Sequence, residues 1–454
     1  MRKDEIIELE ITDLNNLGCG VGRHEGLVVF VKGAAPLDVL RAKVIKVNKQ
    51  YAVARIDRIL TPSPYRTDSD PCEAPLACGG CVYRHITYER ELEIKTDAVR
   101  SAFRRMGLSE VEIAPAVSTG KVYGYRNKAQ YPVTVTGDGL RAGFYAVKSH
   151  TVIPLSNCSI ADSEFAPIVK FICDFGNSAC WSAYDEKSGQ GLLRHIYLRR
   201  GGKTGEVLVC LVINGSELPE EQAFAAELSE KFPATVGVML NINKKNTNLI
   251  LGKEYRLLCG KGYIEDELCG LRFKVSPESF YQVNRDGAEL LYGIAREKTA
   301  LRGDEVLMDL YCGTGTIGLS MAREAKELRG IEIVEGAVAC ARENAEANGI
   351  KNAEFICGNA GDGEVILRAC GGRRPDAVII DPPRKGSTKE LIGTLADLGV
   401  PKITYVSCDP DTLARDCVWF KEFGYSIGKV QPVDMFPRTG HVESVVCLKR
   451  QIQQ

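Results

Sequence analysis

From about residue 262 to residue 454 the chain alternates steadily between short apolar runs and helical patterns. Strands are expected near residues 305–310, 328–334, 353–357, 377–380, 403–407, 425–430 and 444–448. Helices separate most of them; one spans about 335–348 and stops at Asn348-Gly349. This alternation restricts the region to an α/β architecture, a doubly wound Rossmann-like sheet with helices on both faces. In such a sheet ligands bind beyond the carboxyl ends of the strands. The residues expected at those ends therefore carry the functional argument.

The first strand runs into Asp309-Leu310-Tyr311-Cys312-Gly313-Thr314-Gly315-Thr316-Ile317-Gly318. Glycines at 313, 315 and 318 permit a sharp turn and close approach of a ligand to the main chain. The second strand carries Glu332, a carboxylate able to accept hydrogen bonds from ribose hydroxyls. Together they point to a nucleoside cofactor, and by themselves leave NAD open.

The fourth strand ends Asp381-Pro382-Pro383-Arg384, the fifth Ser407-Cys408-Asp409-Pro410, and the last begins His441-Val442-Glu443-Ser444. If the last strand runs antiparallel, Glu443 arrives beside Cys408 across 34 intervening residues. Alone, Cys408 reads as a buried strand-end thiol and Glu443 as a solvated carboxylate. Together beside a nucleoside cofactor they suggest a reaction centre. A rigid, polar, partly exposed site would favour the thiolate. Thiolate addition at C6 of a pyrimidine makes C5 nucleophilic toward a sulfonium methyl, and a base must then remove the C5 proton, a role for Glu443. Asp381 would orient the cofactor or bind the uracil edge.

The first 60 residues hold four or five short strands, with a glycine-rich turn at 18–22, and suggest an OB-like β-barrel. Thr61-Pro62-Ser63-Pro64 reads as a linker. Residues 65–261 are mixed α+β, with a helix expected over 88–107 capped by Gly107. They include Cys72-x5-Cys78-Gly79-Gly80-Cys81, three thiols whose spacing suits zinc or an iron–sulfur cluster. Spacing leaves the fourth ligand open among Cys19, Cys158, Cys173 and Cys180. Cations with interleaved aromatics at 121–128 and 193–203, and the pair Lys244-Lys245, suit phosphates and unpaired bases.

The motifs Asp309–Gly315, Phe280-Tyr281-Gln282-Val283-Asn284, Asp381–Arg384, Ser407–Pro410 and Gly440–Glu443 resemble, in order and spacing, those of the RumA/TrmA family of RNA uridine-5-methyltransferases. The resemblance covers nearly the whole chain. It implies Cys408 as nucleophile and Glu443 as base. Gln282, Tyr311, Gly313, Glu332 and Asp381 would be the S-adenosylmethionine positions. It further implies a [4Fe–4S] cluster on Cys72, Cys78, Cys81 and Cys158, of structural or RNA-organising role. Arg126, Lys128 and Gln130 match a segment near the RNA substrate. Residues 1–60 are similar to a TRAM barrel, 65–261 would form the central iron–sulfur and RNA-binding domain, and 262–454 the methyltransferase domain, with helix 88–107 packed against it. Asp409 departs from the family, where asparagine is more familiar, and is expected to raise the pKa of its neighbour Cys408.

Composition limits the partners. Lys plus Arg (58) and Asp plus Glu (59) cancel to −1, so any RNA-binding surface must be local. Residues 1–60 carry 10 basic against 8 acidic side chains, no strong patch. Seventeen cysteines, an odd number, with no secretory pattern at the start and no apolar run of membrane length, suggest a reduced, cytoplasmic protein with no membrane and no indicated protein partner. The expected substrate is an unpaired uridine of 23S rRNA flipped from its stack; the nearest alternative is a tRNA uridine. An NAD-dependent oxidoreductase leaves Cys408 and Glu443 without roles. A non-catalytic RNA-binding scaffold would be indifferent to losing Cys408. In DNA cytosine methyltransferases the cysteine usually follows a proline, whereas Pro410 comes after Cys408.

Overall fold

The computed structural model describes residues 1–74 and 77–451; Pro75 and Leu76, within the cysteine loop, and the last three residues lie outside it. The chain forms two compact units, one of Met1–Pro71, Gly80–Val122 and Asp381–Gln454, the other of Cys72–Gly79 and Tyr123–Ile380.

The first unit begins with strands Ile6–Leu14, Cys19–His24, Leu27–Lys32, Val39–Val47 and Tyr51–Thr61, which close into a barrel. Alternate residues Ile7, Leu9 and Ile11 point into its core with Val29, Val31 and Leu40. The stretch expected as a glycine turn is mostly strand. Only Gly18, at φ +70°, turns the chain. Gly20 and Gly22 lie in the ladder, where neighbours approach too closely for a side chain: a Cβ on Gly20 would sit 2.8 Å from Ala34 Cβ and 2.9 Å from Ile11 Cγ2. The Thr61–Pro64 linker is also pinned. Buried Asp38 accepts from Ser63 N at 2.9 Å and pairs with Arg66 at 2.6 Å.

Helix Tyr88–Arg105 is capped by Thr87, whose hydroxyl accepts from Arg90 N, and carries Glu89 and Glu91 in its first turn and Arg104 and Arg105 in its last. It packs on helix Pro410–Glu422 of the same unit. Strand Lys402–Ser407 pairs antiparallel with Glu443–Arg450, which also holds Tyr425–Ile427 and Gln431–Val433. The single strand expected over 425–430 is thus two. Gly428 N donates to Cys447 O at 2.9 Å, and a Cβ on Gly428 would press on that carbonyl.

The second unit contains a seven-stranded mixed sheet in the order Glu254–Gly260, Thr235–Ile242, Val207–Ile213, Leu193–Arg200, Lys128–Thr136, Gly139–Tyr145, Val152–Pro154. Helices Phe165–Ser178 and Glu221–Lys231 share its core through Phe165, Ile168, Ile172, Phe224 and Leu228. It also contains four parallel strands ordered Ala353–Cys357, Glu327–Glu332, Val306–Leu310, Ala377–Ile380. Chain order reverses between the last two, the switch point at which α/β sheets bind ligands. The second of these strands stops at Glu332, two residues earlier than expected, because its carboxylate accepts from Val334 N at 2.9 Å and turns the chain. Among the described residues no helix is long and apolar enough to cross a membrane.

Candidate active site

In the first unit the antiparallel ladder sets Ser407 opposite Ser444. One step further come Cys408 and Glu443, close enough for the Glu443 charge to act on the thiol. Glu443 is only 8% exposed, and burial pushes its carboxyl up to about 8, with the Asp381 charge adding and Arg384 opposing. Asp381 itself is pushed up to about 7 by burial. The Cys408 thiol rises to about 11 through burial, then Glu443 and Asp381, again opposed by Arg384. The expectation of a thiolate-favouring site is therefore corrected: the resting protein holds a thiol, because desolvation and two acids outweigh one guanidinium. A carboxyl near 8 is poised to exchange a proton at physiological pH.

Asp409 does not supply the charge that raises Cys408. Its carboxylate turns toward helix Pro410–Glu422, accepting from Asp411 N and Thr412 N, both at 3.0 Å. An asparagine oxygen would do the same.

Cys408 lines a cleft of about 320 Å³ with Asn15, Asn16, Ser101, Arg105 and His441. Gly440 at its edge packs so closely on Asn16 that any side chain there would overlap the Asn16 carbonyl. The segment leading to Glu443 is braced from helix Tyr88–Arg105. Buried Lys95 donates to Glu91 at 2.8 Å and Asp434 at 2.7 Å, and Arg438 N donates to Glu91 at 2.7 Å. Tyr88 closes the network on Asp434 at 2.7 Å. The helix periodicity gave no hint of these ion pairs. A lysine and a glutamate four apart are the usual pattern of a solvated face, yet here both are buried.

In the second unit Tyr311 adopts φ +64°, a left-handed conformation at the turn out of strand Val306–Leu310. Gly313 N donates to Glu332 Oε2 at 3.1 Å. With Val334 N on Oε1, Glu332 retains lone pairs for two hydroxyls. Gly318 N donates to Asp309 at 2.9 Å, fixing the helix start. Thr314 reaches Phe280 O at 3.4 Å, which ties the loop carrying Gln282 to the glycine turn. Phe280, Ile333 and Val334 are 68%, 64% and 57% exposed. Large apolar side chains left open beside a ribose-type carboxylate suit a nucleobase.

Among the described residues no three His, Cys, Asp or Glu side chains are grouped as metal ligands. In the second unit Cys72 and Cys158 come within reach of each other's charge, and Cys78 pairs by a backbone bridge with Ala146. Burial raises the Cys158 thiol, while the amides of Ile160 and Ala161 pull the other way. Cys81, in the first unit, is half-buried.

The basic stretch at 193–203 is largely not a phosphate surface. Arg194 is buried, donating to Asn243 O at 2.7 Å and Lys245 O at 2.8 Å. Arg199 is fully buried, and Arg200 pairs with Asp162 at 3.0 Å. Strand alternation hid this, since Leu193–Arg200 is covered on both faces. Arg126, Lys128 and Gln130 are half-buried on the neighbouring segment.

Residues 87–451 match the family of tRNA (uracil-5-)-methyltransferases, and residues 3–56 match the TRAM domain. A Clostridium tetani protein named an uncharacterized RNA methyltransferase is 39% identical over 450 residues, 99% of this chain and 97% of its own. A Clostridium acetobutylicum protein named likewise is 40% identical over 453 residues, with 99% and 98% covered. Among solved structures, the Pyrococcus abyssi tRNA (uracil-54, C5)-methyltransferase in complex with S-adenosyl-L-homocysteine is similar at a TM-score of 0.77 and 28% identity, covering 97% of this chain and 99% of that one. The chain thus belongs to the tRNA (uracil-5-)-methyltransferase family, enzymes that use S-adenosylmethionine to methylate uracil in RNA.

Proposed function

We propose that this enzyme methylates C5 of a uridine in 23S rRNA through a covalent adduct on Cys408. The observation that carries the reading is the proximity of Cys408 to Glu443 at the end of the ladder, with the Asp381 and Arg384 charges also acting on the thiol. Cys408 gives its proton to solvent water and its sulfur adds to C6, sending the C5–C6 electron pair onto the uracil as an enolate. S-adenosylmethionine supplies the methyl group that C5 takes. Glu443 then removes the C5 hydrogen, the C5–C6 double bond re-forms, and the sulfur leaves. Arg384 stabilises the thiolate. Glu332, Gly313, the Tyr311 backbone and Gln282 hold the nucleoside and methionyl parts of the cofactor, and Asp381 orients cofactor or uracil. Arg126, Lys128 and Gln130 meet the RNA.

By this reading residues 1–60, 65–261 and 262–454 are the TRAM, central and methyltransferase parts, and the protein acts in the cytoplasm, where its RNA is. The cysteine motif favours rRNA. The Pyrococcus abyssi enzyme favours the second reading, a tRNA uridine, because a tRNA enzyme shares this architecture along its length. Mass spectrometry of nuclease digests from a deletion strain decides: loss of 5-methyluridine from 23S rRNA supports the first reading, and loss from tRNA alone replaces it with the second.

We further propose that Cys72, Cys78, Cys81 and Cys158 hold a [4Fe–4S] cluster. Four soft donors suit it, and amide hydrogens directed at the Cys158 sulfur are what a thiolate ligand needs. The cluster would supply a covalent staple between distant parts of the sequence. Anaerobic purification should give about four irons and four sulfides per chain; a zinc-only protein would sink the idea.

A further inference from the structure

Residues 276–284 have no helix or strand of their own. Their shape is imposed by what holds them. Fully buried Arg199 donates to Ser276 O at 3.0 Å, Ser279 O at 2.9 Å and Tyr281 O at 3.0 Å. Two of these carbonyls flank the exposed Phe280. Tyr197, two residues earlier, donates to Pro277 O at 3.3 Å. Asn127 takes the other end: its backbone N–H donates to Val283 O at 2.8 Å and its Nδ2 to Gln282 O at 3.0 Å. Arg126 bridges Asn284, whose side chain caps helix Arg285–Thr299.

The residues assigned to RNA stand directly beside this support. Lys128 pairs with Arg199 and Gln130 with Tyr197 in the sheet register. The neighbourhood is crowded with positive charge: burial, Arg199 and Arg126 together push the Lys128 ammonium down to about 8. An anion arriving at Arg126 and Lys128 relieves that repulsion and firms the segment from which Asn127 grips the loop.

We infer that RNA and S-adenosylmethionine bind with positive coupling, and that Asn127 and Arg199 are positioning residues that transmit it by fixing the 276–284 loop. The inference rests on the proposed roles of Arg126, Lys128 and Gln130 toward RNA and of Gln282 toward the cofactor. An arginine is suited because its planar fork presents donors from two separated nitrogens to carbonyls spread over six residues, whereas an ammonium offers its three from one point. Linkage requires the coupling to be reciprocal.

The test is calorimetric binding of S-adenosylhomocysteine to the full-length protein. It is measured alone and with a saturating in vitro transcript, 23S rRNA or tRNA, whichever the enzyme methylates. The parent should bind about tenfold tighter with RNA present, within the usual range of coupling. In Asn127→Ala and Arg199→Lys the ratio should fall below about threefold, while RNA affinity without cofactor stays unchanged. A ratio of one in the parent, or an undiminished ratio in both variants, overturns the inference. Gln282→Ala separates the causes: if it leaves cofactor affinity unchanged, the assignment of the loop itself fails; if it weakens binding while the ratio survives in the variants, only the coupling fails. Should a variant not fold, hydrogen exchange on the parent decides. RNA alone should slow exchange at amides within 276–284, and unchanged rates overturn the inference.

Discussion

Ser407 and Ser444 stand opposite each other in an antiparallel ladder, and that pairing delivers Cys408 and Glu443 to one place. The arrangement assigns the two side chains different proton affinities, with the carboxyl near 8 and the thiol near 11. It separates the proposed proton acceptor from the proposed nucleophile.

Replacing Glu443 with Gln keeps the shape and removes the proposed base. Methylation should slow by about 10²–10⁴-fold. A protein–RNA adduct should accumulate on denaturing gels, and Cys408→Ala in the same background should abolish it. Full methylation with no adduct would remove Glu443 from the mechanism.

Stability should depend on pH through the same carboxyl. Its folded pKa of about 8 exceeds the ordinary 4.5, so the folded state binds the extra proton between those values. The stabilisation is complete below about 4.5 and is lost as pH rises through 8. Glu443→Gln, which cannot ionise, should melt several degrees above the parent at pH 9, with the gap closing toward pH 5. Parallel melting curves across that range would contradict the burial argument.

Lys95→Met removes the nearest cation from buried Glu91 and Asp434, leaving Glu91 to Arg438 at 3.6 Å and Asp434 to the Tyr88 hydroxyl. The loss should be about 3–5 kcal/mol. Urea denaturation measures it, and a cost below about 1 kcal/mol would mean the ions are hydrated rather than paired.

Asp409→Asn should leave both stability and the Cys408 titration unchanged, because the oxygen that caps the helix is retained. Asp409→Ala should cost about 1 kcal/mol. Thiol alkylation rates across pH report the titration; a shift of Cys408 in the asparagine variant would restore Asp409 as a direct electrostatic neighbour.

What the sequence discloses here depends on whether the deciding interaction is periodic. Strand–helix alternation marked Val306–Leu310, Ala377–Ile380 and Lys402–Ser407 to within a residue or so, because burial on both faces leaves continuous apolar runs. The barrel was equally visible, except at Gly20 and Gly22, where glycine signals close packing rather than reversal. The Cys408–Glu443 encounter was legible once the last strand was taken as antiparallel. The state of the thiol was not, since it turns on desolvation by residues far apart in the chain. Arg194 and Arg199 misled for the same reason: a cation bonded to carbonyls looks, in sequence, like one awaiting phosphate. Lys95 and Asp434 are 339 residues apart, and nothing local announces their pairing.

The bare glycine at 440 gives the barrel a second duty. Because the turn that follows the first barrel strand lies backbone-to-backbone against the approach to Glu443, the barrel forms part of the wall of the proposed catalytic cleft. Excising it would cost turnover as well as grip on RNA, so it cannot be regarded as a detachable handle.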